Sequence, residues 1–174
     1  MIRNALFATL LASTTAAPAM ADGFTLTSPE IAEGQQLSSD FVFQGFGCEG
    51  GNRAPTLEWS GAPEGTESFA VTVYDPDAPT GSGWWHWFVF NIPAEVTSLP
   101  AGGDVDGVQL TNDYGAKGFG GACPPPGEVH RYLFTVHALG TKLQIDNSVS
   151  NALAGFMVNA NSLASSTITA VYNR

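Results

Sequence analysis

A mainly β fold in one domain, with one or two peripheral helices, is what the sequence predicts, and three observations predict it. Short segments rich in β-branched and aromatic residues recur along the chain. The stretches between them carry Gly, Pro, Asn and Asp, the residues that end strands and build turns. One stretch alone has a convincing helical period, and no internal repeat or low-complexity linker divides the chain.

Taken in order, the strand candidates are Phe41–Phe46, Thr56–Ser60, Phe69–Tyr74, Trp85–Ile92, Arg131–Leu139 and Thr167–Tyr172. Trp85–Ile92 and Arg131–Leu139 have few polar interruptions, which suits strands covered on both faces. Gly50–Asn52, Pro63–Gly65, Thr80–Gly83 and Ala101–Gly103 are turn signals. The helix is expected to start at a Ser148 cap and to bury Leu153, Phe156, Met157 and Ala160, spaced i, i+3, i+4, i+7. It frays at Asn159–Asn161, and Thr167–Tyr172 then rejoins the sheet.

Met1–Ala21 has the form of a secretory signal peptide. Arg3 precedes the apolar, small-residue run Ala5–Ala17, and Ala19-Met20-Ala21 offers a cleavage site before Asp22. The competing reading is an N-terminal core helix. The domain proper is then 22–174, expected in the periplasm or outside the cell, with no later run near the roughly 18 apolar residues of a membrane span. Six basic against sixteen acidic residues give a formal charge of −10, a balance that argues against nucleic-acid or anionic-lipid binding. Cys48 and Cys123 are an even pair in an exported chain, for which a disulfide is the default and two free thiols the alternative. Without a CxxC pattern they make a poor zinc site, and no cofactor is expected.

Two stretches concentrate chemistry. Asp75–Trp87, DPDAPTGSGWWHW, sets two acids around Pro76 and a histidine among tryptophans. Asp beside Pro is ordinary turn chemistry, and a histidine between tryptophans is ordinarily a satisfied core residue; two acids around one proline exceed what a turn needs. Gly118–Tyr132, GFGGACPPPGEVHRY, is an open but stiff loop suited to be a ligand wall or merely a connector. Alternation places His130 and Tyr132 on one strand face, both able to donate to an oxygen-rich group. Arg131 lies on the other face and is expected to pair with a carboxylate. The same alternation puts His137 opposite His130, as a structural residue.

Together with GCEGGNRAPTLEW at Gly47–Trp59, WWHWFVFNIP at Trp84–Pro93 and GGACPP at Gly120–Pro125, these stretches resemble the phosphatidylethanolamine-binding protein family, in its bacterial Raf-kinase-inhibitor-like branch. The likeness spans nearly all of 22–174. It implies a central antiparallel sheet with a second, smaller sheet and a C-terminal helix. It also implies a small anion pocket taking phosphate, acetate or a phosphorylated headgroup. Carried over by position, Asp75, Asp77, Trp84, His86, His130 and Tyr132 match the pocket set, with Pro125 and the loop around Gly121–Cys123 at its rim. Cis peptides are implied at Ala78–Pro79 and near Ser82–Gly83. The chain departs from the family pattern at Ala122, where many relatives have proline, and at Asn159–Asn161, where many carry Gly-His.

The expected mechanism has Asp75 and Asp77 accept hydrogen bonds from His86 and His130. The carboxylates orient both rings and keep them charged, and the tryptophans shield them. The function expected is that of an exported binding or inhibitor protein, not an enzyme, with a small anion as ligand and a kinase- or protease-like protein as a candidate partner. Its rivals are a metal-dependent or acid–base hydrolase using the Asp/His cluster, and a protein-interaction module with a vestigial pocket.

Overall fold

The computed structural model describes residues 23–174; the leader expected at 1–21 lies outside them. Ten strands and one α-helix are formed: β1 Thr25–Thr27, β2 Gln44–Gly45, β3 Cys48–Glu49, β4 Leu57–Ser60, β5 Ser68–Asp75, β6 Trp84–Pro93, β7 Ser98–Leu99, β8 Val108–Gln109, β9 Val129–Leu139, α1 Asn151–Asn161 and β10 Ser162–Asn173. The central sheet is five-stranded, in the order β10-β9-β5-β6-β8, with every pair antiparallel. A smaller sheet, β1-β4-β7, packs on one face, α1 covers part of the other, and β2–β3 is a separate hairpin.

The period of two along β5 explains the layering. Phe69, Val71 and Val73 point into a core shared with Leu57, Trp59 and Leu99 of the small sheet. Ala70 points the other way, into a second core with Phe88, Phe90, Ala154 and Val158. Both faces of β5 are therefore dry, and the expectation of strands covered on both sides holds for β6; β9 instead alternates, with Arg131 exposed and Leu133, Thr135 and His137 half-buried on one face.

Three local expectations need correction. Phe41–Phe46 is not a strand: Ser39–Phe41 forms a 3-10 turn and Gly45 pairs with Cys48 in the β2–β3 hairpin. The two residues between them, Phe46 at φ 50° and Gly47 at φ 78°, make the reversal, a turn that an aromatic residue conceals from composition. The helix is capped by Ser150, whose hydroxyl accepts from the Leu153 N–H at 3.2 Å, and not by Ser148. It buries Ala154 and Val158, with Met157 half-buried against the same core, while Leu153 and Phe156 are 47% and 66% exposed and Ala160 is exposed as well. No cis peptide bond occurs among the described residues. The turn before β6 is made instead by Gly83 at φ 69°, where a Cβ would run into the Tyr74 hydroxyl and the Asp75 carbonyl.

Candidate functional site

The histidines reach one end of the central sheet by two routes. His130 is the second residue of β9 and follows the strand's alternation onto the buried face. His86 does not follow the alternation of β6. Val73 pairs with Trp87 but Tyr74 with Trp85, so β6 has one extra residue at His86, a β-bulge. The bulge shifts the side-chain phase. Trp85 turns toward α1, 5.2 Å from Phe88, and His86 turns toward Tyr132, 5.1 Å away edge-on.

Between them lies a cavity of about 220 Å³ lined by Phe46, Asp75, Ala78, Pro79, Thr80, Trp84, His86, Tyr114, Cys123, Pro125 and His130. Of the residues expected at the pocket, Asp75, Trp84, His86, Pro125 and His130 meet there. Tyr132 stands behind His86 as a fully buried support. Asp77 and Gly121 are not among the lining residues. Phe46 and Tyr114 went unrecognised in the sequence. Tyr114 stacks on Phe43 at 3.8 Å, meets Trp84 and His86 edge-on, and donates its hydroxyl to the Gly121 carbonyl at 2.9 Å. Its loop is organised by buried Asn112, whose side-chain oxygen accepts from Tyr114 N and Ala116 N.

Asp75 serves both readings at once. Its Oδ1 accepts from the backbone N–H groups of Asp77 and Ala78, ending the strand as a turn residue does. Its Oδ2 meets His130 Nδ1 at 2.7 Å, with both side chains buried. Asp77 has a different role from the one expected: it orients no histidine. It takes the Arg131 guanidinium in a bidentate pair, at 2.9 and 2.7 Å, and the Arg131 N–H at 2.9 Å. Those bonds hold its carboxyl down at about 2. Arg131 thus pairs with a carboxylate, on the strand face away from His130, as alternation predicts.

His86 is oriented by a backbone carbonyl, its Nδ1 donating to Gly120 O at 2.7 Å. Burial pushes its pKa down, with the Gly120 bond only partly opposing. The ring is consequently neutral, with Nε2 unprotonated and able to accept. His130 differs. Burial acts against its charge, but hydrogen bonds and charge from Glu128 and Asp75 prevail and raise its pKa. Its second nitrogen, Nε2, sits 2.9 Å from the Glu128 carboxylate. Glu128 was not singled out in the sequence, although it lies two residues before His130 and so shares its strand face.

The glycine loop is less open than its composition suggests. The N–H groups of Gly120, Gly121 and Ala122 are taken by His86 O, Asn52 Oδ1 and Phe41 O. Gly121 is there for space: a Cβ would lie 2.5 Å from Phe43 N and from the Val42 carbonyl carbon. The rim is tied by a disulfide between Cys48 and Cys123, so the paired alternative is the one formed.

The chain as a whole is similar to known proteins in sequence and in fold. The UPF0098 protein YbcL of Escherichia coli is 57% identical over 94% of this chain and 97% of its own length. The UPF0098 protein YbhB of the same organism is 50% identical, covering 85% of this chain and 99% of its own. The crystal structure of E. coli YbcL, described as a new member of the mammalian PEBP family, superposes with a TM-score of 0.84 at 58% identity, covering 87% of this chain and 98% of that one. The family model for phosphatidylethanolamine-binding protein matches residues 27–173. Fold and sequence together mean that the chain belongs to the phosphatidylethanolamine-binding protein family.

Proposed function

We propose that this protein is an exported binding protein whose cavity takes a small anion, phosphate or a phosphorylated headgroup, on the protonated His130 imidazole. The carrying observation is the setting of that ring. It is only 3% exposed, its Nδ1 is committed to buried Asp75, and its Nε2 is directed at an acceptor beside the cavity. Desolvation by Trp84, Tyr114 and Pro125 strengthens any charge-assisted bond made there. His86 complements it as a neutral acceptor, suited to a proton of a partly protonated phosphate or to an N–H of a headgroup. Export follows from the leader reading of Met1–Ala21 and accords with the Cys48–Cys123 disulfide, which persists outside reducing compartments.

The groups facing His130 are Asp75, Glu128 and, at longer range, Asp77. Because its pKa is raised, the anion-binding form persists to higher pH than in a free imidazole and is lost as pH rises through that raised value. Phosphate affinity, followed by NMR from mildly acid to mildly alkaline pH, is expected to fall across that window in the wild type. Flat affinity, or an unchanged affinity in His130→Ala, rejects the reading. Running inorganic phosphate beside vesicles containing phosphatidylethanolamine separates a free anion from a lipid headgroup as its source.

A protein-interaction module is the second reading, favoured by Phe46, which lines the cavity and stands 71% exposed. A kinase- or protease-like partner captured equally by wild type and a His86→Ala/His130→Ala double variant would favour it. The hydrolase reading needs both carboxylates at the histidines, and Asp77 is held by Arg131 instead.

A further inference from the structure

We propose that Glu128 is an internal substitute for the ligand: its carboxylate holds the one open hydrogen-bonding position on His130, and every anion enters by displacing it. The proposal rests on the anion-binding reading of the cavity and adds to it a built-in competitor that sets how strong a ligand must be.

Geometry carries the inference. His130 has two polar atoms, and Asp75 closes off Nδ1 from inside the fold. An anion can therefore bond the ring only through Nε2, where the Glu128 Oε2 stands at 2.9 Å. The two acids are not equivalent. The Asp75 side chain is 4% exposed and fixed by two backbone N–H groups, whereas that of Glu128 is 51% exposed. The Glu128 backbone is anchored, its N–H donating to Pro125 O at 3.1 Å and its carbonyl accepting from Arg174 N at 3.4 Å. Opening the site thus needs only rotation of an exposed side chain into water. Without that carboxylate a buried imidazolium would be left with an unmet N–H whenever the cavity is empty, so Glu128 also keeps the empty site stable.

A competitor tethered to the site acts in a distinct way. It lowers the affinity of every ligand by the same factor, because each must first reach the open form. A carboxylate acting only through its field penalises a dianion about twice as much, in free energy, as a monoanion. The two effects separate with acetate and methyl phosphate, the latter mainly dianionic at neutral pH.

The experiment measures the affinity of both probes for the mature protein in three forms: wild type, Glu128→Ala and Glu128→Asp. The aspartate keeps the charge but is too short to hold Nε2. Displacement predicts that both variants bind both probes roughly tenfold more tightly, by a common factor for acetate and methyl phosphate, the scale of one charge-assisted hydrogen bond. Unchanged affinity in both variants overturns the proposal. So does a gain confined to Glu128→Ala and larger for methyl phosphate, which assigns Glu128 to the field alone; either result leaves anion binding intact. Failure of all three proteins to bind either probe overturns the anion reading itself and the competitor with it.

Discussion

The three histidines occupy three electrostatic settings, and each gives a separate expectation. His130, between Asp75 and Glu128, is expected to titrate above the ordinary 6.5. His86, buried on the Gly120 carbonyl, is expected to titrate below it, and burial beside α1 carries His137 to about 4. A ¹H–¹³C NMR titration of the ring signals checks this order; a His130 midpoint below that of His86 contradicts it. The sign for stability follows. His130 stabilises the fold below the unfolded value near 6.5, and that contribution is lost as pH rises through its raised folded value. His137 has the opposite sign: unfolded chains take its proton first, so stability falls as pH drops from about 6.5 toward 4. Asp77 adds stability above 3.8 that is lost as pH falls through about 2. Since Arg131 is 57% exposed, Asp77→Ala is expected to cost only about 1 kcal/mol in urea unfolding. The phosphate affinity of that variant is expected to stay near wild type, because Asp77 lies outside the cavity; a large loss would return Asp77 to the site.

At the scale of elements, α1 is held by its cap and by small residues. Ser150→Ala removes the acceptor for Leu153 N–H and is expected to cost about 1 kcal/mol. Val158→Ala, in the inner core, should cost about 2 kcal/mol, while exposed Phe156→Ala should stay within about 0.5 kcal/mol. Thermal melts of the three variants test the face assignment, and a larger loss at Phe156 than at Val158 would reverse it. The loop Gly118–Tyr132 depends on shape more than on donors. Gly121→Ala forces a methyl into the Val42–Phe43 backbone and is expected to cost about 2 kcal/mol. If that variant melts like wild type, the contact is not as tight as described.

For the whole molecule, the Cys48–Cys123 bridge joins segments 75 residues apart and fastens the hairpin that carries Phe46 to the loop behind Pro125. Replacing both cysteines by serine should cost about 4 kcal/mol if constraint of the unfolded chain dominates. In a domain of this size that lowers Tm by roughly 10 °C. A shift under a few degrees would mean that the rim holds without it. The fold class and the outlines of β5, β6 and β9 were legible in the sequence because strand-forming composition and turn residues are local signals, and five of the lining residues were marked by the family resemblance of the DPDAP, WWHW, GGACPP and HRY stretches. Less local features were not. Phe46 sits at a positive φ that its aromatic character hides. Tyr114 enters the site through contacts with Phe43, Trp84 and His86, all distant from it in sequence. The choice of Asp77 for Arg131 depends on how β5 and β9 align, a long-range register. Glu128 could have been found by extending to it the alternation already applied to His130 and Tyr132.

The bulge at His86 makes residue count, as much as residue identity, a determinant of the site. Substituting His86 changes one side chain, whereas deleting it restores regular pairing and leaves Trp85 opposite Tyr74 and Trp84 opposite Asp75. Deleting Trp85 instead brings His86 opposite Tyr74, on the α1 side, which loses the ring that Gly155 packs against. The variant without His86 should therefore fail at the cavity alone, and the variant without Trp85 at the cavity and the helix seat together. Point substitutions at His86 should leave α1 seated.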